Sequence, residues 1–67
     1  MNIPGYSDNG LKMLYEAIRD ALAHDDAIPA GRDKTYDVRE FSDWRETADK
    51  IEAVLKERGV SFETITW

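Results

Sequence analysis

Hydrophobic residues recur at spacings of three and four in two stretches of the chain, which predicts two amphipathic α-helices. The pattern is clearest in the second stretch, where the apolar positions are Phe41, Trp44, Ala48, Ile51 and Leu55. The stripe of the first stretch consists of Leu11, Leu14, Tyr15, Ile18 and Leu22. At about two heptads, the second stripe is too short for a coiled coil, so we expect the two stripes to pack on each other within the molecule.

The ends of the first helix can be predicted from a capping residue and from charge. Ser7 is a preferred N-cap, because its hydroxyl can accept a hydrogen bond from a free N–H of the first turn. We expect the helix to fray near His24, since Asp25 and Asp26 have the wrong sign for the negative end of a helix dipole. These two carboxylates are expected to be solvated rather than poised for acid–base chemistry.

The second helix has a similarly clear start and stop. It is predicted to begin at Ser42 or Asp43, both of which are good capping residues. Gly59 suits the left-handed position that follows a helix. Glu52 and Lys56, four residues apart, are expected to form an ion pair on the outer face of this helix.

Two further segments have the period-two alternation or the composition of β-strands. In residues 35–40, Tyr36 and Val38 lie on one side of the predicted strand, with charged residues on the other. Residues 60–67 are rich in β-branched and aromatic side chains. Their alternation shifts phase before Ile65, so we expect either a bulge or burial on both faces.

The predicted order is therefore helix, strand, helix, strand within one α+β domain that spans residues 1–67. Two amphipathic helices would pack on a short sheet of two or three strands. The tight connections around the second helix predict parallel strands with a right-handed crossover. A third strand near Ile3, or pairing with the edge of a second copy, would complete the sheet.

Composition and charge exclude several classes of function. The chain of 67 residues contains no cysteine, which excludes disulfides and thiolate metal sites. A net charge of -5 disfavours sequence-independent binding to nucleic acid, which depends on cationic groups. No signal peptide and no apolar run of membrane-spanning length is visible, so we expect a cytoplasmic protein without a membrane partner.

The residues that often carry chemistry do not form a recognisable site. His24 and Asp20 are four residues apart and could face one ligand, but they do not supply a tetrahedral metal set. The four glycines are scattered, and no nucleophile elbow or phosphate loop is present. We therefore expect no catalytic residue, no metal site and no cofactor within the single chain.

The best functional interpretation is a small non-catalytic protein-interaction module or a homo-oligomeric subunit, whose partner is another protein or a second copy. The patch would lie near Trp67 and Phe62 or near Tyr36 and Val38. The full candidate surface comprises Trp67, Phe62, Tyr36, Val38, Arg39 and Arg45. For Trp44 and Trp67, burial in the core and anchoring of a partner both stay open.

Two alternative functions follow from other features of the sequence. The first is association with nucleic acid or a nucleoprotein, because cations interleave with aromatic residues as in a stacking platform. The cations concerned are Arg32, Lys34, Arg39 and Arg45. The second alternative is a subunit of an enzyme whose active site forms only between chains.

Overall fold

Two helices form most of the molecule. A computed structural model describes Asn2–Trp67, so the first residue of the predicted domain lies outside the described residues. A short 3-10 helix covers Ile3–Gly5, followed by α1 at Asp8–Asp26 and α2 at Asp43–Glu57. The two amphipathic helices predicted from the apolar stripes are thus confirmed.

The α+β prediction is wrong, because the described residues contain no β-strand and the two helices pack on each other without a sheet. The segment near Ile3, considered as a third strand, is a 3-10 turn. Residues 35–40 form turns in which the backbone carbonyl of Asp37 accepts hydrogen bonds from the N–H groups of Glu40 and Phe41 at 3.1 and 3.0 Å. Asp37 has a φ of 54°, in the left-handed region that a strand excludes.

The second predicted strand, residues 60–67, lies against the helices without pairing with any described segment. Val60 and Phe62 pack on the core, as do Ile65 and Trp67, whereas Glu63 and Thr64 between them are exposed. The shift of phase expected before Ile65 is therefore present. The phase shifts because this C-terminal segment is not paired in a β-sheet, whose hydrogen bonds would enforce strict alternation of its side chains. Its apolar side chains all pack on the one core instead.

The core lies between α1 and α2 and is closed by the C-terminal segment. Its most deeply buried side chains are Leu11, Tyr15, Ile51 and Leu55. The helices are antiparallel. Arg58, directly after α2, bonds to Asp8 at the start of α1, whereas Trp44 at the start of α2 lies beside His24 near the end of α1. Phe41 departs from the predicted stripe: it precedes α2 and is 56% exposed.

The ends of the helices explain how the chain is held together. Ser7 Oγ accepts a hydrogen bond from Gly10 N at 3.0 Å, which confirms the predicted N-cap. Ile3 is buried, and the 3-10 helix is tied to the end of α2 through Arg58. The Arg58 guanidinium donates to the Pro4 and Tyr6 carbonyls, each at 2.8 Å. Gly59 has a φ of 71°, which confirms the left-handed residue after α2.

Candidate functional site

The loop between the helices is anchored by Asp25, one of the last residues of α1. Its Oδ1 accepts a hydrogen bond from Tyr36 N at 3.0 Å, and its Oδ2 accepts one from Val38 N at 2.9 Å. Only 2% of the residue is exposed, so the prediction that it is solvated is wrong. The prediction of fraying near His24 is also wrong, because α1 continues through Asp26 and uses Asp25 to bind the loop.

The surroundings of Asp25 stabilise its charged form. Burial raises the pKa of its carboxyl, but hydrogen bonds from the N–H groups of Val38, Tyr36 and Thr35, together with the charge of His24, lower it by more. The net pKa is therefore below the ordinary value for aspartate. An anionic Asp25 is the form that accepts both N–H groups, so the loop is held by charge-assisted hydrogen bonds.

A second contact fixes the same loop to α1. The Arg39 guanidinium donates from Nε and one terminal nitrogen to the two carboxylate oxygens of Asp26, each at 2.9 Å. This bidentate contact lowers the pKa of Asp26 and raises that of Arg39. Arg39 also donates to the Trp67 carbonyl and so connects the loop with the C-terminal segment.

Three aromatic rings lie together where the loop meets the helices. The Tyr36 ring is 5.5 Å from the His24 ring and 6.0 Å from the Trp44 ring, with an interplanar angle of 66° at each contact. We call His24, Tyr36 and Trp44 the aromatic wall. It borders an open groove of about 500 Å³ whose other lining residues, Ala17, Asp20 and Ala21, lie on α1.

Another groove, of about 270 Å³, is lined by residues of the loop, of α2 and of the C-terminal segment. Here the Arg45 guanidinium carbon is 5.3 Å from the centre of the Trp67 ring. Trp67 and Arg45 line the groove together with Val38 and Arg39. The Trp67 side chain thus packs on the core and also contacts Arg45 of the same chain.

The Tyr15 hydroxyl is a buried polar group that joins three parts of the fold. It donates to Glu52 Oε2 at 2.7 Å and accepts from Ile65 N at 2.9 Å. Burial and the Glu52 carboxylate raise the pKa of Tyr15 to about 12, against the lowering effect of the Ile65 N–H. Glu52 forms the expected pair with Lys56, at 4.0 Å, but it faces Tyr15, so the expected position on the outer face is wrong.

The structure distributes the six residues of the predicted interaction surface over several environments. Val38 is buried and belongs to the core. Phe62 packs edge-on against the Tyr15 ring at 5.4 Å. Arg39, Arg45 and Trp67 share one groove, whereas Tyr36, which is 45% exposed, belongs to the aromatic wall. Four of the six, including the buried Val38, therefore line one groove, whereas Phe62 and Tyr36 lie elsewhere.

The cations considered for nucleic-acid binding are largely engaged within the molecule. Lys34 Nζ donates to the Ile28 carbonyl at 2.6 Å. Arg39 is held by Asp26, and Arg45 lies over the Trp67 ring. Three of the four side chains are thus occupied by contacts within the molecule, although Arg39 and Arg45 meet at the groove beside Trp67.

Sequence reasoning missed the anchoring role of Asp25 and the groove beside the aromatic wall. A signal for Asp25 was present, since it follows Ile18 by seven residues and Leu22 by three and so lies on the buried face of α1. Ala17, Ala21 and His24 follow the same helical spacing on a neighbouring face. Their meeting with Tyr36 depends on the path of the loop, which no local spacing encodes.

Comparisons with known proteins identify no relative of this chain. No family model matches the chain, and neither the curated proteins nor the solved structures provide a significant match. Within Asn2–Trp67, no group of three or more His, Asp or Glu side chains is placed to hold a metal ion. None of the helices in that range has the length and apolar character needed to cross a membrane.

Proposed function

We propose that the chain is a small non-catalytic protein-interaction module that binds another protein through the loop end of the helix pair. The proposed contact consists of Tyr36, Phe41 and Trp44, which we call the loop-end surface. The observation that carries the proposal is the exposure of two large aromatic residues, Tyr36 at 45% and Phe41 at 56%, in one loop. Aromatic side chains are enriched in protein interfaces and often supply much of the binding energy.

The way the loop is held supports this proposal. Asp25 binds two of its backbone N–H groups, Arg39 bonds to Asp26, and Lys34 bonds to the Ile28 carbonyl. A surface that is already ordered loses less conformational entropy when a partner binds. The loop therefore presents its aromatic side chains from an ordered backbone, which favours binding.

The alternative patch around Trp67 and Phe62 is less suited to docking. Both side chains are partly buried against the core, as Trp44 is, but this patch has no exposed aromatic residue comparable to Tyr36 or Phe41, and Arg45 lies over Trp67. Each copy has a net charge of -5, which opposes self-association and favours a different protein as the partner. A cytoplasmic location is part of the proposal and is supported by the cysteine-free sequence, because reducing compartments disfavour disulfides.

Affinity capture from the native host extract tests the proposal when matched variants are used as bait. We expect a partner that the wild-type chain retains and that Tyr36→Ala or Phe41→Ala reduces by roughly tenfold or more. Met13→Ala is the control, because Met13 is 62% exposed on α1 and lies outside the loop-end surface. Equal retention by all four baits would refute the proposal.

Sedimentation velocity of the same variants shows whether the loop-end surface binds a second copy of the chain. A monomer at micromolar concentration is expected, in agreement with a partner other than a second copy. A dimer that Tyr36→Ala dissociates would instead assign the loop-end surface to self-association and overturn the choice of partner.

A further inference from the structure

Arginine side chains already lie against two of the aromatic groups in this small fold. The Arg19 guanidinium carbon is 5.9 Å from the centre of the Tyr15 ring, and that of Arg45 is 5.3 Å from the centre of the Trp67 ring. The third group is the aromatic wall of His24, Tyr36 and Trp44. In the part of the chain that the structure describes, no Lys or Arg lies over its rings.

The groove beside the aromatic wall has the electrostatic character that attracts a cation. Asp20 supplies a carboxylate to its lining, and this carboxylate has no ion-pair partner within residues 2–67. The faces of aromatic rings carry partial negative charge and favour a cation within about 6 Å. Ala17 and Ala21 have small side chains, which leave the groove open at about 500 Å³.

We propose that this groove binds an arginine side chain of the partner protein, with the guanidinium between Asp20 and the rings of Tyr36 and Trp44. The inference rests on the proposed function, since Tyr36 and Trp44 belong to the loop-end surface, and it adds the chemistry of the partner. Charge complementarity supports it twice: Asp20 in the groove has no ion-pair partner within residues 2–67, and the whole chain has a net charge of -5 when His24, which lines the same groove, is neutral. Arginine is preferred because its planar guanidinium both stacks on rings and bonds to carboxylates.

Titration of the isotope-labelled chain with N-acetyl-arginine amide, followed by two-dimensional NMR, tests this site directly. We expect a Kd on the order of 10 mM, which a single exposed cation–aromatic site can provide. The shifted signals should be the amides of Ala17, Asp20, Ala21 and Tyr36 and the indole N–H of Trp44. N-acetyl-citrulline amide has nearly the same shape without the charge, and we expect it to bind at least about fivefold more weakly.

Matched variants separate the site from the general attraction of an acidic protein for cations. Asp20→Asn is expected to raise the Kd for N-acetyl-arginine amide about fivefold, because it removes the carboxylate of the groove. Asp49→Asn removes one carboxylate from the exposed side of α2 and should leave the Kd within about twofold. Both residues are exposed, so both variants are expected to fold, and their spectra report this directly.

The results also distinguish this site from the interaction module itself. Equal binding of arginine and citrulline amides, or equal effects of Asp20→Asn and Asp49→Asn, would overturn the arginine site. Phe41 lies outside the groove. If capture of a partner still depended on Phe41 in that case, the proposed interaction module would be supported without the arginine site. If N-acetyl-arginine amide bound in the groove but Phe41→Ala lost no captured partner, the arginine site would be supported and the broader loop-end surface would be refuted.

Discussion

A single buried carboxylate, that of Asp25, holds the loop by accepting the backbone N–H groups of Tyr36 and Val38. The Asp25→Asn variant keeps the side-chain size but replaces one accepting oxygen by an NH2 donor, so one N–H loses its acceptor. A buried N–H without a partner is costly, and we expect the thermal midpoint at pH 7 to fall by roughly 10 °C. Scanning calorimetry measures this fall, with the exposed Asp33→Asn as the control for loss of one charge.

The effect of Asp25→Asn is expected to shrink in acid. The backbone hydrogen bonds and His24 lower the pKa of Asp25 despite the opposing effect of burial. A carboxyl whose folded pKa is depressed stabilises the fold above its unfolded pKa of about 3.9, and this stabilisation is lost as the pH falls through the folded pKa. The difference in thermal midpoint between the wild type and Asp25→Asn should therefore narrow below about pH 4. A difference that stayed constant into strong acid would contradict this role.

The buried position of Asp25 could be predicted from the sequence, but its partners could not. Its spacing from Ile18 and Leu22 places it on the apolar face of α1, whereas a pair of adjacent acidic residues suggests a solvated helix end. Its acceptor role depends on N–H groups that lie 11 and 13 residues later in the chain. Residues so far apart meet only because the loop turns at Asp37, and that turn interrupts the alternation that predicted a strand.

At the scale of elements, the Tyr15 hydroxyl connects α1 with both α2 and the C-terminal segment. Tyr15→Phe leaves the buried Ile65 N–H without its acceptor and Glu52 without its donor, so we expect a loss of about 2 kcal/mol in the free energy of unfolding. Chemical denaturation measures the loss. Tyr6→Phe is the control, because Tyr6 is exposed and its hydroxyl makes no hydrogen bond within the described residues.

Hydrogen exchange shows whether that loss acts through the C-terminal segment. In the Tyr15→Phe variant the Ile65 amide should exchange faster than in the wild type, whereas amides in the middle of α2 should change only with global stability. If the exchange rate of Ile65 followed that of Ile51, the segment and α2 would open together. The hydroxyl would then stabilise the whole fold rather than the attachment of the segment.

The helices could be predicted because their signals are local. The sheet was wrongly predicted because a strand also depends on a partner that is distant in the sequence. The stripes of α1 and α2 and the cap at Ser7 depend on neighbours within a few residues. A strand needs a partner, and residues 60–67 have β-branched and aromatic residues but no second strand to pair with. Their apolar side chains pack on the helices instead, while Tyr15 and Arg19 supply some of the hydrogen bonds that a ladder would have provided.

At the scale of the whole molecule, every element contributes to one core. Ile3, Val38 and Ile65 come from three segments outside the main helices, yet all three are buried in the same cluster. A chain of this size has only a narrow margin of stability, so loss of any one segment should destabilise the rest. We therefore expect cooperative, two-state unfolding.

Single-tryptophan variants test this expectation, because the two tryptophans report on different regions. Trp44 contacts the loop through Tyr36, whereas Trp67 lies in the C-terminal segment under Arg45. In Trp67→Phe the fluorescence reports the loop end of α2, and in Trp44→Phe it reports the segment, while circular dichroism reports the helices in both. Within each variant, the fluorescence and dichroism midpoints in urea should coincide. A lower fluorescence midpoint in Trp44→Phe alone would mean that the C-terminal segment detaches from the core before the helix pair unfolds.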